Sequence, residues 1–174
     1  MKSKKKIVFI LIIIILVGIL FIQSFNYQAQ PKEFVTNRTF LTRSDILYDY
    51  EITKYSTQVG VSPVLPNQEK LTLGVVIDPW NLNFGIVPAG KNYGTRFLDL
   101  TNLKEKDAKV NFKVYGNISP FVNFTKNNFI LHKNENVTVE ANFYATSTEI
   151  GNYSGEIDIT IQRPKYDILY NFWR

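Results

Sequence analysis

PWNLNFGIVPAG, residues 79 to 90, holds two glycines, two prolines, a Trp and a Phe. Such a stretch has two readings: a loop that cradles a phosphate, or a strand and turn that open a β-domain. A phosphate loop needs its glycines to lead into a helix N-terminus, where backbone N–H groups converge. The residues after Gly90 alternate instead. In TRFLDLTN (95–102), Leu98 and Leu100 stand against Phe97, Asp99 and Thr101. The stretch is therefore strand, turn, strand. Pro79 and Pro88 suit edge or turn positions, which tolerate a missing N–H. Gly85 marks a bulge or a close backbone approach.

The same period-two pattern runs downstream. LTLGVVI (71–77) and NLNFGIV (81–87) are strands stopped by proline. AKVNFKVYG (108–116) puts Val110, Phe112 and Val114 on one face, and FVNFT (121–125) and NFILH (128–132) are shorter strands. NVTVEANFYA (136–145) sets Val137, Val139, Ala141 and Phe143 against Thr138, Glu140 and Asn142. NYSGEIDITIQ (152–162) sets Tyr153, Ile157, Ile159 and Ile161 inward, with Glu156, Asp158 and Thr160 outward. Alternation with one polar face predicts antiparallel sheet packed on one side. About seven or eight such strands over residues 70–163 predict an all-β, Ig-like antiparallel sandwich. No segment of residues 26–174 sustains a 3.6-residue apolar period.

Upstream, residues 26–69 form a spacer with a possible extra strand at ILYDYEIT (46–53), followed by a proline-bearing linker, GVSPVLPNQEK (60–70). After Pro164 comes an aromatic tail, residues 164–174. Its DILYNF (167–172) echoes DILYDY (45–50), so the two either pair as neighbouring strands or match by composition alone.

LNFGIVPAGKNYGTRFLDLTN resembles the opening of the abnormal-spindle/hydin-type Ig domains, relatives of the major-sperm-protein sandwiches found in exported prokaryotic proteins. The matching residues are Phe84-Gly85-Ile86-Val87, Gly90 and Leu98 to Asn102. Gly151, Tyr153 and Gly155 resemble that family's entry to its last strand. The resemblance spans about residues 72 to 163. It implies a sandwich that binds other proteins or acts as a spacer, with no catalytic residues.

The N-terminus is segregated. Residues 1–6 are basic, and residues 7–22 read IVFILIIIILVGILFI without a charge. Taken as residues 7–25, this is a helix of roughly 28 Å at about 1.5 Å per residue, just enough for a hydrocarbon core of roughly 30 Å. The expectation is a single transmembrane signal anchor with a cytoplasmic N-terminus and an extracytoplasmic remainder. The alternative is a cleaved secretory signal, although the apolar run is long for one and lacks a small-x-small site. Lys2, Lys4, Lys5 and Lys6 supply four of the five net positive charges. The basic balance is thus a topology signal, and it gives no nucleic-acid footprint.

Chemistry is sparse. The chain has no cysteine, which excludes disulfides, thiolate metal sites and cysteine nucleophiles. His132 is the sole histidine, without companions at metal-ligand spacing. Asp99, Glu140, Glu156 and Asp158 fall where outward strand faces put solvated charges, so paired-carboxylate catalysis is not expected. No cofactor, metal or enzymatic activity is expected.

Two features remain. Asn-x-Ser/Thr occurs at Asn37, Asn117, Asn123, Asn136 and Asn152, against roughly two expected by chance at this composition. Asn136 and Asn152 should point outward, and Asn117 is the poorest because Pro120 follows its Ser119. Modified sites imply a host with surface N-glycosylation, and an archaeon suits the anchor and the missing cysteines. The terminal Tyr170, Phe172, Trp173 and Arg174 form a candidate partner contact, or fold back on the sandwich. The lead reading is a membrane-anchored, non-catalytic module that binds or spaces cell-envelope proteins. The alternatives are a subunit of a surface filament or secretion apparatus, and a secreted carbohydrate-binding accessory domain if the N-terminal segment is cleaved. The last requires an exposed set of coplanar aromatics.

Overall fold

The computed structural model describes residues 8–18, 31–64, 80–146 and 149–172. The chain divides into two compact units, Met1–Pro31 and Lys32–Arg174.

The first unit contains one described helix, α1 (8–18), whose apolar side chains from Val8 to Val17 are all exposed. This corrects the membrane-anchor expectation. Among the described residues, no helix is long and apolar enough to cross a membrane. Residues 8–18 give about 16 Å of helix at about 1.5 Å per residue, roughly half of a ~30 Å hydrocarbon core. The rest of the expected span, residue 7 and residues 19–25, lies outside the described residues. The single-pass topology falls with the anchor, as do the cytoplasmic N-terminus, the membrane as a partner and the anchored-module function.

The second unit is all-β, with two sheets. In chain order its strands are β1 (Thr39–Ser44), β2 (Tyr48–Ser62), β3 (Gly85–Pro88), β4 (Tyr93–Thr101), β5 (Ala108–Gly116), β6 (Val122–Phe124), β7 (Phe129–Leu131), β8 (Asn136–Tyr144) and β9 (Gly151–Pro164). The larger sheet has the order β1-β2-β9-β5-β7, with β3 also on β2; the smaller is β4-β8-β6. All pairs are antiparallel except β2–β3, which is parallel from Val59↔Gly85 to Ser62↔Pro88.

The alternation read from sequence sets the core. Val110, Phe112, Ile157 and Ile159 face Leu98, Val137, Val139, Ala141 and Phe143 across one hydrophobic cluster. Phe84 packs on Phe143 at a ring-centroid distance of 5.9 Å, joining the β2–β3 edge to the smaller sheet, and Phe121, just before β6, packs on the same ring at 6.1 Å. Burying a side chain of this size stabilises by roughly 1.5–3 kcal/mol.

Residues 26–69 differ most from the sequence reading. They hold β1 and the longest strand, β2, which pairs with β9 from Tyr48↔Pro164 to Val61↔Gly151. The segment read as a linker is in part this strand. Thr57, Val59 and Val61 alternate into the core, and Thr57 donates its hydroxyl proton to the Leu82 carbonyl at 2.7 Å. Upstream of β3, the Leu82 and Phe84 N–H groups donate to the Ser56 and Gln58 carbonyls, so residues 82–84 continue along β2. Pro79 and the expected strand 71–77 lie outside the described residues.

Two glycines are explained by geometry. Gly85 has φ +73° with open space where a Cβ would stand, so the conformation, not a close approach, demands glycine there. At Gly155 a Cβ would lie 1.9 Å from the Tyr115 carbonyl oxygen across the β5–β9 pair.

The tail is not a strand. DILYNF (Asp167–Phe172) forms a 3-10 helix whose Leu169 packs on Tyr48, Tyr50 and Ile52 in a second small core. The two look-alike segments therefore meet through side chains, while the ladder partner of Tyr48 is Pro164.

Candidate functional site

The outward face of the smaller sheet carries three exposed aromatic residues, Tyr93, Phe97 and Tyr144. Strand register fixes its rungs: Tyr93↔Tyr144, Thr95↔Asn142↔Asn123, Phe97↔Glu140, Asp99↔Thr138 and Thr101↔Asn136. The residues between these rungs, Leu98 on β4 with Val137, Val139, Ala141 and Phe143 on β8, point into the core. The outward set is thus a direct product of period two.

Tyr93 and Phe97 are 63% and 65% exposed, and Tyr144 is 42% exposed. The rings of Tyr93 and Tyr144 lie 6.1 Å apart with planes inclined at 36°, which makes a shallow trough and not a flat platform. Phe97 stands four residues along β4, about 13 Å away at roughly 3.3 Å per residue. Between them the Thr95 hydroxyl donates to Asn142 Oδ1 at 2.5 Å, and on the next rungs the Thr138 hydroxyl donates to Asp99 Oδ1 at 2.6 Å. Backbone N–H of Glu140 donates to the Thr125 hydroxyl. The rungs present apolar ring faces beside hydroxyl and carboxylate groups and the exposed Asn123 and Asn136, while Asn142 is buried with its Oδ1 held by Thr95. They hold no Lys or Arg; the charges are Asp99 and Glu140.

A second cluster overturns the expectation of solvated carboxylates on β9. Glu156 is completely buried and Asp158 nearly so, on the outward face of the larger sheet. Lys54 Nζ lies 2.5 Å from Glu156 Oε1 and 3.2 Å from Asp158 Oδ2. The Val35 N–H donates to Glu156 Oε2 at 2.8 Å, so the chain before β1 covers this face. Burial, helped by a hydrogen bond with Glu156, pushes the Asp158 carboxyl up to about 6 despite the nearby lysine. Burial opposes the charge on Lys54, yet its carboxylate partners hold its pKa above the ordinary value. The physical reason for the misreading is that a sheet's outer face is solvated only where no other chain segment crosses it. Asp99 is exposed and Glu140 half-buried.

His132 is exposed at the end of β7, with Nδ1 2.9 Å from Asp107 Oδ2, and the hydrogen bond to Asp107 raises its pKa. Among the described residues, no group of three or more His, Asp or Glu side chains is placed to hold a metal ion. A polar cleft of about 300 Å³ lies nearby, lined by Glu105, Lys106, Asp107, Asp167 and Tyr170. Lys106 and Asp167 close part of it with an ion pair at 3.0 Å.

The five sequon asparagines, Asn37, Asn117, Asn123, Asn136 and Asn152, are all exposed. Of the terminal aromatic set, Tyr170 is half-buried and donates its hydroxyl proton to the Asp107 carbonyl at 3.3 Å. The Phe172 side chain, Trp173 and Arg174 lie outside the described residues. Sequence reading singled out none of Tyr93, Phe97 and Tyr144 as a site. Their signal is an aromatic on the polar side of an amphipathic strand: Phe97 between Thr95 and Asp99, and Tyr144 following Glu140 and Asn142 in alternation.

Comparison with known proteins returns no family model, no characterised relative and no solved structure that matches this chain.

Proposed function

We propose that this chain is a secreted, non-catalytic carbohydrate-binding module that engages neutral oligosaccharides on the outward face of β4 and β8. The observation that carries this reading is the exposed cross-strand pair Tyr93–Tyr144, which shares its face with Phe97 and the Thr95 hydroxyl; its rings are inclined at 36°, so it forms a trough in place of the coplanar set expected from sequence. Aromatic faces stack on the apolar faces of sugar rings, and fixed amide and hydroxyl groups read their hydroxyls. Pockets that bind small ligands combine apolar surface with a few placed polar groups in this way. The absence of Lys and Arg from the rungs, with two carboxylates present, disfavours acidic polymers and selects uncharged sugars. The burial of Glu156 and Asp158 supports the non-catalytic part, since neither carboxylate reaches a substrate. The proposal includes the abnormal-spindle/hydin-type ancestry, whose sandwiches are binding or spacer domains.

Calorimetric titration with neutral hexose and N-acetylhexosamine oligomers tests the reading. Binding should be lost or weakened at least tenfold in Tyr93→Ala and Tyr144→Ala and kept in Tyr166→Ala, an exposed aromatic outside this sheet. Equal binding by all three variants, or none by the parent protein, refutes it.

One observation favours a second reading, a subunit of a surface assembly. Among the described residues β4 pairs only with β8, which leaves it an edge strand of nine residues with neither Pro nor Lys to blunt it. Under that reading the protein forms concentration-dependent oligomers, and a Leu100→Pro substitution in β4 abolishes them.

A further inference from the structure

We infer that Asn37, Asn123, Asn136 and Asn152 are N-glycan acceptors and that Asn117 is not. All five carry the Asn-x-Ser/Thr motif, and all five are exposed. What separates them is how the folded chain uses each side chain and backbone. Asn136 opens β8 at the last rung of its sheet, opposite Thr101. Asn123 lies on β6, the far edge strand of that sheet. Asn152, near the start of β9, is exposed and lies over Gly60 of β2, where the lack of a side chain leaves its amide room. Asn37 precedes β1 in an exposed segment and uses its backbone carbonyl, not its side chain, to accept the Thr39 hydroxyl. All four side chains are exposed.

Asn117 is engaged. Its Oδ1 accepts the Ser154 N–H at 2.7 Å, which draws the side chain against the start of β9. It follows Gly116, at φ +90°, where a Cβ would meet the Ser154 carbonyl at 2.4 Å. The serine of its motif, Ser119, begins a 3-10 turn, Ser119–Phe121, with Pro120 inside it. The motif is thus wound into a turn with its amide oxygen held by the Ser154 N–H, a presentation less open than that of the other four.

The reaction joins Nδ2 of asparagine to the anomeric carbon of a glycan carried on a polyprenyl phosphate or pyrophosphate. The bond from that carbon to the phosphate oxygen breaks, the lipid phosphate leaves, and the amide loses one proton. A host oligosaccharyltransferase supplies the donor and the catalysis. The inference does not depend on the sugar-binding reading. Asn136 lies at the end of β8 remote from Tyr144, whereas Asn123 shares the rung of Thr95 and Asn142, so a glycan there borders the proposed sugar-binding face.

Glycopeptide mass mapping of the protein purified from the cells that make it tests the assignment. The expected result is glycan on the four named asparagines and an unmodified Asn117. In the same cells Asn136→Gln and Asn152→Gln should each lower the intact mass by one glycan, while Asn117→Gln leaves the glycan mass unchanged. Glycan on Asn117, or an unmodified residue among the four, overturns the assignment at that position. A protein bare at all five overturns the inference.

Discussion

Replacing Lys54 with methionine should expose how the buried charge on the larger sheet is balanced. The substitution keeps the length of the side chain and removes the cation 2.5 Å from a completely buried Glu156 and 3.2 Å from Asp158. Deleting one partner of a buried ion pair costs about 3–5 kcal/mol, because the other charge stays desolvated. Protonation offers the variant an escape that limits the loss. At pH 7 the cheapest is at Asp158, whose carboxyl already stands at about 6, and it costs about 1.4 kcal/mol at about 1.4 kcal/mol per unit, so the loss should lie between about 1.4 and 5 kcal/mol. The Lys54 side chain is only 18% exposed, so solvent screening discounts this modestly. The same escape predicts a pH signature. At pH 5 Asp158 is already protonated, one buried negative charge fewer is left unbalanced, and the penalty should shrink. Urea unfolding of both proteins at pH 7 and pH 5, with slopes checked for two-state behaviour, measures it. A loss below about 1 kcal/mol at pH 7, or one that does not change with pH, refutes the reasoning.

Three further outcomes rest on single features. Asp158 takes up a proton in the folded state at about 6, ahead of its ordinary 3.8, so its charge works against folding at neutral pH. Relative to Asp158→Asn, the parent protein should gain up to roughly 3 kcal/mol as the pH falls from 7 to 4, and parallel stability curves would contradict this. Gly155→Ala places a methyl group against the Tyr115 carbonyl, which two paired strands cannot vacate. It should cost about 3 kcal/mol or more, read as a lowered urea midpoint or loss of folded protein. His132 has a raised folded pKa, so its pairing with Asp107 contributes below about 6.5 and fades as the pH rises through the folded value. Its imidazole shifts, followed by NMR, should titrate above 6.5 in the parent protein and return towards 6.5 in Asp107→Asn.

Period-two alternation made the main sandwich legible before any coordinates. AKVNFKVYG and NVTVEANFYA gave the bounds of β5 and β8 within a residue, and their apolar sets are the core. The second half of β2 was missed because KYSTQVGVS leans polar and runs into Pro63. Its burial comes from β9 on one side and β3 on the other, contacts that no local pattern announces. The parallel β2–β3 pair was invisible for the same reason. Alternation says which way side chains point, but not which strand lies alongside.

The candidate face was half legible. Sequence placed Phe97 outward with Asp99 and Thr101, yet only the β4–β8 register brings Tyr93 beside Tyr144 and both into line with Phe97. The same rule misled at Glu156 and Asp158. They do point away from the core, but the chain through Val35 lies over them, and outward stopped meaning solvated. The membrane anchor rested on the length of the apolar run, the lysines before it and the missing small-x-small site, and the described helix, residues 8–18, is too short for it.

The claim that the smaller sheet's outer face is a sugar-binding surface is tested most directly by amide chemical-shift mapping. Isotope-labelled protein would be titrated with neutral hexose and N-acetylhexosamine oligomers. The account predicts saturable shifts concentrated at Tyr93, Thr95, Phe97, Asn142 and Tyr144. Shifts centred on another surface, or none at millimolar sugar, contradict it.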